Sequence, residues 1–305
     1  MNDLGLVLKN IDNIEILLDE DLSKYSTLKL IAQGDVIIIK SKDALEKVVK
    51  SLFCEKIDYR ILGFGSNQML KEFSEVPYLK LQFPFEQEYL STMREEYTLP
   101  ASIHLSKLSS HASKFCLKGW EVFTGIPATL GGAVFMNAGT GLGEIGPLVK
   151  SVKLISKEGI FKTIAPDERS FSYRKNNFVE EGDIIYEVTL VHFGKSDQVA
   201  MTIKNYLRKR NETQPLKSQT CGCVFKNSNK ELPDGKLATC RAGEFIDIIG
   251  LKGFCLDEVR ISPLHANFME NRGSANYSNM VRAIDSIREE LSLQFGVDFD
   301  TEVKF

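Results

Sequence analysis

From Gly125 to Gly143 the chain reads GIPATLGGAVFMNAGTGLG, and six glycines among small and apolar residues leave few folds open to it. Such a backbone can turn sharply and approach another group closely, because no Cβ stands in the way. Main-chain N–H groups freed in this manner can converge on an anion, and a cofactor phosphate is the leading candidate. Gly63-Phe64-Gly65-Ser66-Asn67 has the same character and follows the apolar run Tyr59 to Leu62. Two loops of this kind point to a large bound cofactor, with ordinary glycine turns in a β-rich protein as the alternative.

At 305 residues the chain can bury a substantial core and divide into two or three domains. A formal charge of −3 gives no bias toward nucleic acid or membrane, so an anionic substrate must meet local cations. The N-terminus lacks the basic and apolar regions of a leader, and no apolar run reaches the roughly 20 residues of a membrane span, so a cytoplasmic protein is expected. Six scattered cysteines argue for reduced thiols. Cys221 and Cys223 form a C-x-C pair, but without a second pair at ligand spacing no metal site is expected.

Asp35 to Lys40 reads as a strand, followed by a helix capped by Ser41 with Ala44, Leu45, Val48, Val49 and Leu52 at helical spacing. Lys56 to Leu62 returns as a strand into the first glycine loop, which is not a G-x-G-x-x-G fingerprint. A helix is expected near Leu105 to Phe115, a hairpin around Lys157-Glu158-Gly159, a strand over Asp183 to Phe193 and a helix over Gln198 to Arg210. A final helix beginning at Ser278 carries Val281, Ile284, Ile287, Leu291 and Phe295 on one face. The expected domains span 1–75, 76–200 and 201–305.

Three further segments sharpen the reading: Phe171-Ser172-Tyr173-Arg174, Cys221-Gly222-Cys223-Val224-Phe225-Lys226-Asn227 and Thr301-Glu302-Val303-Lys304. With the glycine loops, Gly250-Leu251-Lys252-Gly253, His265-Ala266-Asn267-Phe268, Asn271 and Gly273, their order resembles the UDP-N-acetylenolpyruvoylglucosamine reductase (MurB) family from about Tyr25 onward. That resemblance implies an α+β chain. Two subdomains of the FAD-binding vanillyl-alcohol-oxidase/PCMH-type fold would precede a C-terminal α+β substrate-binding domain. Noncovalent FAD would lie along Gly63, Gly65, Ser66, Asn67, Gly125, Ile126, Pro127, Gly131, Gly132 and Asn137. NADPH would be the hydride donor and UDP-N-acetylglucosamine enolpyruvate the acceptor, giving UDP-N-acetylmuramate for peptidoglycan, with a monomer expected.

By the same resemblance Arg174 would stabilise the enolate, as a planar guanidinium suits a carboxylate. Cys223 stands where the family commonly has a serine that protonates C2; a thiol, mostly protonated at neutral pH, can donate as well. Glu302 would assist protonation or hold the enolate, Tyr173 would support Arg174 or contact the sugar, and Asn227 would contact substrate. Met in isolation, these residues read otherwise: a surface salt bridge for Arg174, a packing thiol for Cys223, a solvated carboxylate for Glu302, a core phenol for Tyr173 and a turn cap for Asn227. Lys217 and Arg208 to Arg210 are candidate cations for the uridine diphosphate. Ile31-Ala32-Gln33 and Asp257-Glu258 replace Gly-Gly pairs of the family pattern, and Gly235 to Arg241 reads as a small extra loop. The length suggests the shorter family type. A flavin-dependent sugar or alcohol oxidase of the same fold, or a degenerate flavin-binding regulatory module, are the alternatives.

Overall fold

The computed structural model describes residues 4–231 and 237–305. Two compact units emerge, each assembled from separated stretches of chain. The first comprises residues up to Asp19, Asp35–Phe64 and Glu75–Arg208; the second comprises Glu20–Gly34, Gly65–Ser74 and Lys209–Phe305.

The first unit carries two four-stranded sheets. One runs in the order Ile14–Asp21, Gln33–Ile39, Tyr78–Leu81, Arg60–Ile61, and its last three strands are parallel. Its covering helix, Lys42–Cys54, starts where Ser41 Oγ accepts from the Ala44 N–H at 3.1 Å. The five apolar positions expected to face inward are all buried, and each large one contributes about 1.5–3 kcal/mol relative to exposure. The expected strand over Lys56 to Leu62 contracts to Arg60–Ile61, because a turn with Lys56 at φ 55° first redirects the chain.

The other sheet is antiparallel, in the order Glu96–Pro100, Ile184–Val191, Val149–Ile155, Phe161–Ile164. Its last two strands form the hairpin expected around Gly159. Helix Leu105–Phe115 packs with it around Trp120, Tyr97 and Phe123. The Trp120 indole donates to the Val191 carbonyl at 2.8 Å, so its burial strands no donor. Helix Val199–Thr213 runs past the Arg210 limit expected for it.

The second unit is a four-stranded antiparallel sheet, Thr220–Cys223, Phe268–Asn271, Val259–Ile261, Cys255–Leu256, packed by helix Tyr277–Phe295. Asn276, not Ser278, caps this helix: it accepts from the Asn279 N–H while the Asn279 side chain accepts from the Asn276 N–H. Ser278 instead donates to Glu72 through its N–H and its hydroxyl. Of the extra loop expected at Gly235 to Arg241, Gly235 and Lys236 lie outside the described residues. Leu237–Cys240 is a strand and not a loop, because it pairs antiparallel with Ser228–Glu231.

Two features of the second unit bear on its stability. A Cβ at Gly65 would lie 2.0 Å from the Tyr25 carbonyl oxygen, and Gly65 sits at φ 68°. Cys221 is 1% exposed within the core, and burial pushes its thiol up to about 12. Gly65→Ala combines strain with a backbone clash and should cost at least about 2 kcal/mol, read as a lowered urea midpoint. The Cys221 thiol is held protonated in the fold but ionises near the ordinary thiol value of 9.0 when unfolded. Its contribution to stability is therefore complete below that value and lost as pH rises toward 12, so urea midpoints measured from pH 9 upward should fall, and less so in Cys221→Ala.

Candidate functional site

In the first unit, Gly63 leaves the parallel sheet and meets the second glycine stretch, since a Cβ on Gly63 would stand 3.0 Å from Thr129 Oγ1. Thr129 also caps a short helix, Leu130–Phe135, that interrupts the glycine run expected to be loop. Gly131 is required there by proximity, because its Cβ would lie 2.7 Å from Ala101 Cβ.

The N–H groups of Leu130, Gly131, Gly132 and Ala133 go to Ile103 O, Ala101 O, Thr129 Oγ1 and Thr129 O. Freed amides were the expectation for this run, and at these four positions the amides are used internally. Beyond its own helix, a Cβ on Gly132 would meet Thr129 Oγ1 at 3.3 Å. Gly125 takes φ 72°, and Ile126 and Pro127 complete a tight turn in which the Ala128 N–H reaches Ile126 O.

Asn137 follows that short helix and is 1% exposed. Its amide donates to Glu144 Oε2 at 2.7 Å and to Ser172 O at 3.0 Å, and its Oδ1 accepts from the Gly146 N–H. Asn176 fastens the neighbouring strand by donating to the Phe135 carbonyl. Between these two anchors, Phe171–Ser172 and Lys175–Asn176 pair antiparallel, and Tyr173-Arg174 form the turn. Arg174 takes φ 56°, uncommon for a residue with a side chain and found in turns and at functional positions. Its guanidinium lies 5.0 Å from the Tyr173 ring centroid. Gly139 permits that placement, because a Cβ there would lie 3.0 Å from Arg174 Nη1.

Within the second unit the remaining motifs meet. The Asn67 amide donates to Glu302 O at 3.0 Å, the Lys304 N–H reaches Asn67 O and the Met69 N–H reaches Lys304 O. Glu302 N–H donates to Val224 O at 2.7 Å, directly after Cys223. The first glycine loop, the Cys-Gly-Cys strand and the Glu302 segment are therefore adjacent. Cys223 is partly exposed, and the Glu302 charge adds to burial in keeping Cys221 protonated. A register irregularity between Thr220 and Cys223, with Gly222 at φ 82°, breaks the strand's regular course there.

Other polar residues of the motifs serve the backbone. Asn267 bonds both the N–H and the carbonyl of Phe225. Asn271 donates to Leu28 O and Lys29 O and accepts from the Gly273 and Ala275 N–H groups. Asn227 Oδ1 accepts from Ala242 N–H at the start of helix Ala242–Ile248.

Lys80 and His104 were not singled out in the sequence. The Lys80 ammonium donates to Gly63 O at 2.8 Å, and the His104 ring meets Phe64 edge-on at 5.0 Å. Only the position of Lys80 in a strand beside the loop could have pointed to it. Among the described residues no group of His, Cys, Asp and Glu could hold a metal ion.

Known proteins resemble this chain over most of its length. The family described as UDP-N-acetylenolpyruvoylglucosamine reductase, C-terminal domain, matches residues 214–305. A Clostridium botulinum (strain Eklund 17B / Type B) protein of the same name is 31% identical over 277 residues, covering 89% of this chain and 87% of its own. A Clostridium kluyveri protein of that name is 29% identical over 99% of this chain and 97% of its own. The crystal structure of the Thermus caldophilus enzyme superposes with a TM-score of 0.74 at 28% identity, over 95% of this chain and 98% of that one. The chain thus belongs to the UDP-N-acetylenolpyruvoylglucosamine reductase family.

Proposed function

We propose that this chain reduces UDP-N-acetylglucosamine enolpyruvate to UDP-N-acetylmuramate with electrons from NADPH, through a noncovalently bound FAD, in peptidoglycan synthesis. The supporting observation is that each expected motif joins a built feature of its own unit: the Arg174 turn hangs from Asn137, and Glu302, Cys223 and Asn67 lie on adjoining backbone.

The glycine loops fit a flavin dinucleotide. Gly65 has no room for a side chain, and the Phe64, Gly65 and Ser66 N–H groups have no acceptor among the described residues. Gly63, Gly65, Ser66 and Asn67, with Gly125, Ile126, Pro127, Gly131 and Gly132, would hold the cofactor. Asn137, whose amide N–H groups are both engaged, would act by positioning. When bound, the flavin supplies a hydride path from NADPH to C3 of the enolpyruvyl group.

The chain's own residues deal with the charge and the proton. Hydride arrival at C3 leaves negative charge on C2 and the carboxylate, and the Arg174 guanidinium would neutralise it. Cys223 Sγ–H would then give its proton to C2, leaving a thiolate that recovers a proton from water before the next cycle. Glu302 would orient or re-protonate that thiol, and Tyr173 and Asn227 would contact the sugar nucleotide. Residues 1–75 and 76–200 would bear the cofactor and 201–305 the substrate, in a cytoplasmic monomer of the shorter family type.

An anaerobic visible spectrum tests the whole sequence of events. NADPH should bleach the flavin and the enolpyruvyl nucleotide should restore it; rapid recovery in air with no response to the nucleotide would instead indicate an oxidase. Cys223→Ala and Arg174→Lys should leave bleaching near the native rate and slow restoration about 10²–10³-fold in stopped-flow traces. Equal losses in both half-reactions would remove these residues from the second. Peroxide should abolish restoration in the native chain and spare it in Cys223→Ser, which retains a hydroxyl donor.

A further inference from the structure

The first glycine loop leaves the parallel sheet under the control of a neighbouring strand. Arg60 and Ile61 pair with Tyr78 and Leu79, and the Leu62 N–H still reaches Leu79 O at 2.9 Å. At the next residue the ladder ends. There the Lys80 side chain takes over, its ammonium donating to Gly63 O at 2.8 Å.

A trans peptide is planar, with its C=O and N–H pointing in opposite directions. Holding Gly63 O toward Lys80 therefore turns the Phe64 N–H away from it. That N–H has no acceptor among the described residues. The Phe64 ring is held separately, edge-on to His104, which follows the Ala101–Ile103 backbone used by Leu130 and Gly131. The loop's first peptide is thus fixed through its oxygen and through the side chain that follows. Burial lowers the Lys80 affinity for its proton, and a desolvated ammonium grips a carbonyl oxygen more firmly than a solvated one.

We propose that Lys80 is a positioning residue of the cofactor site, clamping the Gly63–Phe64 peptide so that the Phe64 N–H is presented as a donor to FAD. The assignment rests on the flavoprotein reading above. It also separates two ways a cation can aid an anionic cofactor: aiming a neutral backbone donor, or attracting charge from a distance. Aiming survives high salt, whereas long-range attraction is screened.

The test is FAD affinity, from quenching of flavin fluorescence on titration of the native apo-protein, Lys80→Met and Lys80→Arg, at about 0.05 and 0.5 M NaCl. Lys80→Met should bind FAD at least about tenfold more weakly at both salt concentrations, with an unchanged apo-protein melting midpoint, while Lys80→Arg, still a donor, stays within about threefold of native. Native affinity in Lys80→Met, or a deficit that vanishes at high salt, overturns the proposal. If Lys80→Met has no cooperative melt, Lys80→Arg decides: near-native affinity supports the clamp and a tenfold loss overturns it. Failure of the native chain itself to take up FAD would be a failure of the flavoprotein reading and not of the clamp.

Discussion

The approach of Gly65 to the Tyr25 carbonyl is the contact on which the second unit's site depends. It leaves no space for any side chain, and the Thr27 N–H closes on Gly65 O at 3.2 Å from the same segment. With the loop pinned there, Asn67 reaches the Glu302 backbone and Met69 reaches Lys304. Shift the loop and both strands of that connection shift with it. The missing Cβ permits this approach, and the burial of Leu28, Met69, Val224 and Val303 in one core holds the segments together.

The first unit solves its own problem with buried amides. Asn137 and Asn176 tie the end of the short helix Leu130–Phe135 to the two strands flanking Tyr173-Arg174. A buried amide left unbonded is costly, so each such side chain strongly favours one geometry. The left-handed backbone of Arg174 is held between these anchors. A backbone fixed in this way limits the directions in which its cationic side chain can reach.

Much of this was legible in the residues. Helix Leu105–Phe115, the Ser41 cap and the Gly159 hairpin follow from spacing and turn chemistry, which are local. The helix inside the glycine run was not legible, because Gly131 and Gly132 are poor helix formers and the turn is held by Thr129 and by packing on Ala101. Asn276 outcompeted Ser278 as a cap through its reciprocal bond with Asn279, a pairing that the hydroxyl nearer the apolar face obscured. Asn267 and Asn271 stood out as motif letters, yet their bonds go to Phe225, Leu28 and Lys29, far away in sequence. Such distant partners leave no periodic trace.

The bond between Asn67 and Glu302 spans 235 positions of sequence. Closing so long a stretch is entropically expensive and slow compared with forming a helix or hairpin. Ribosomal synthesis runs from the amino end, so Asn67 must wait for this partner until the residues between them have been made. Until Glu302 and Lys304 emerge, the early glycine segment is a tether without this anchor.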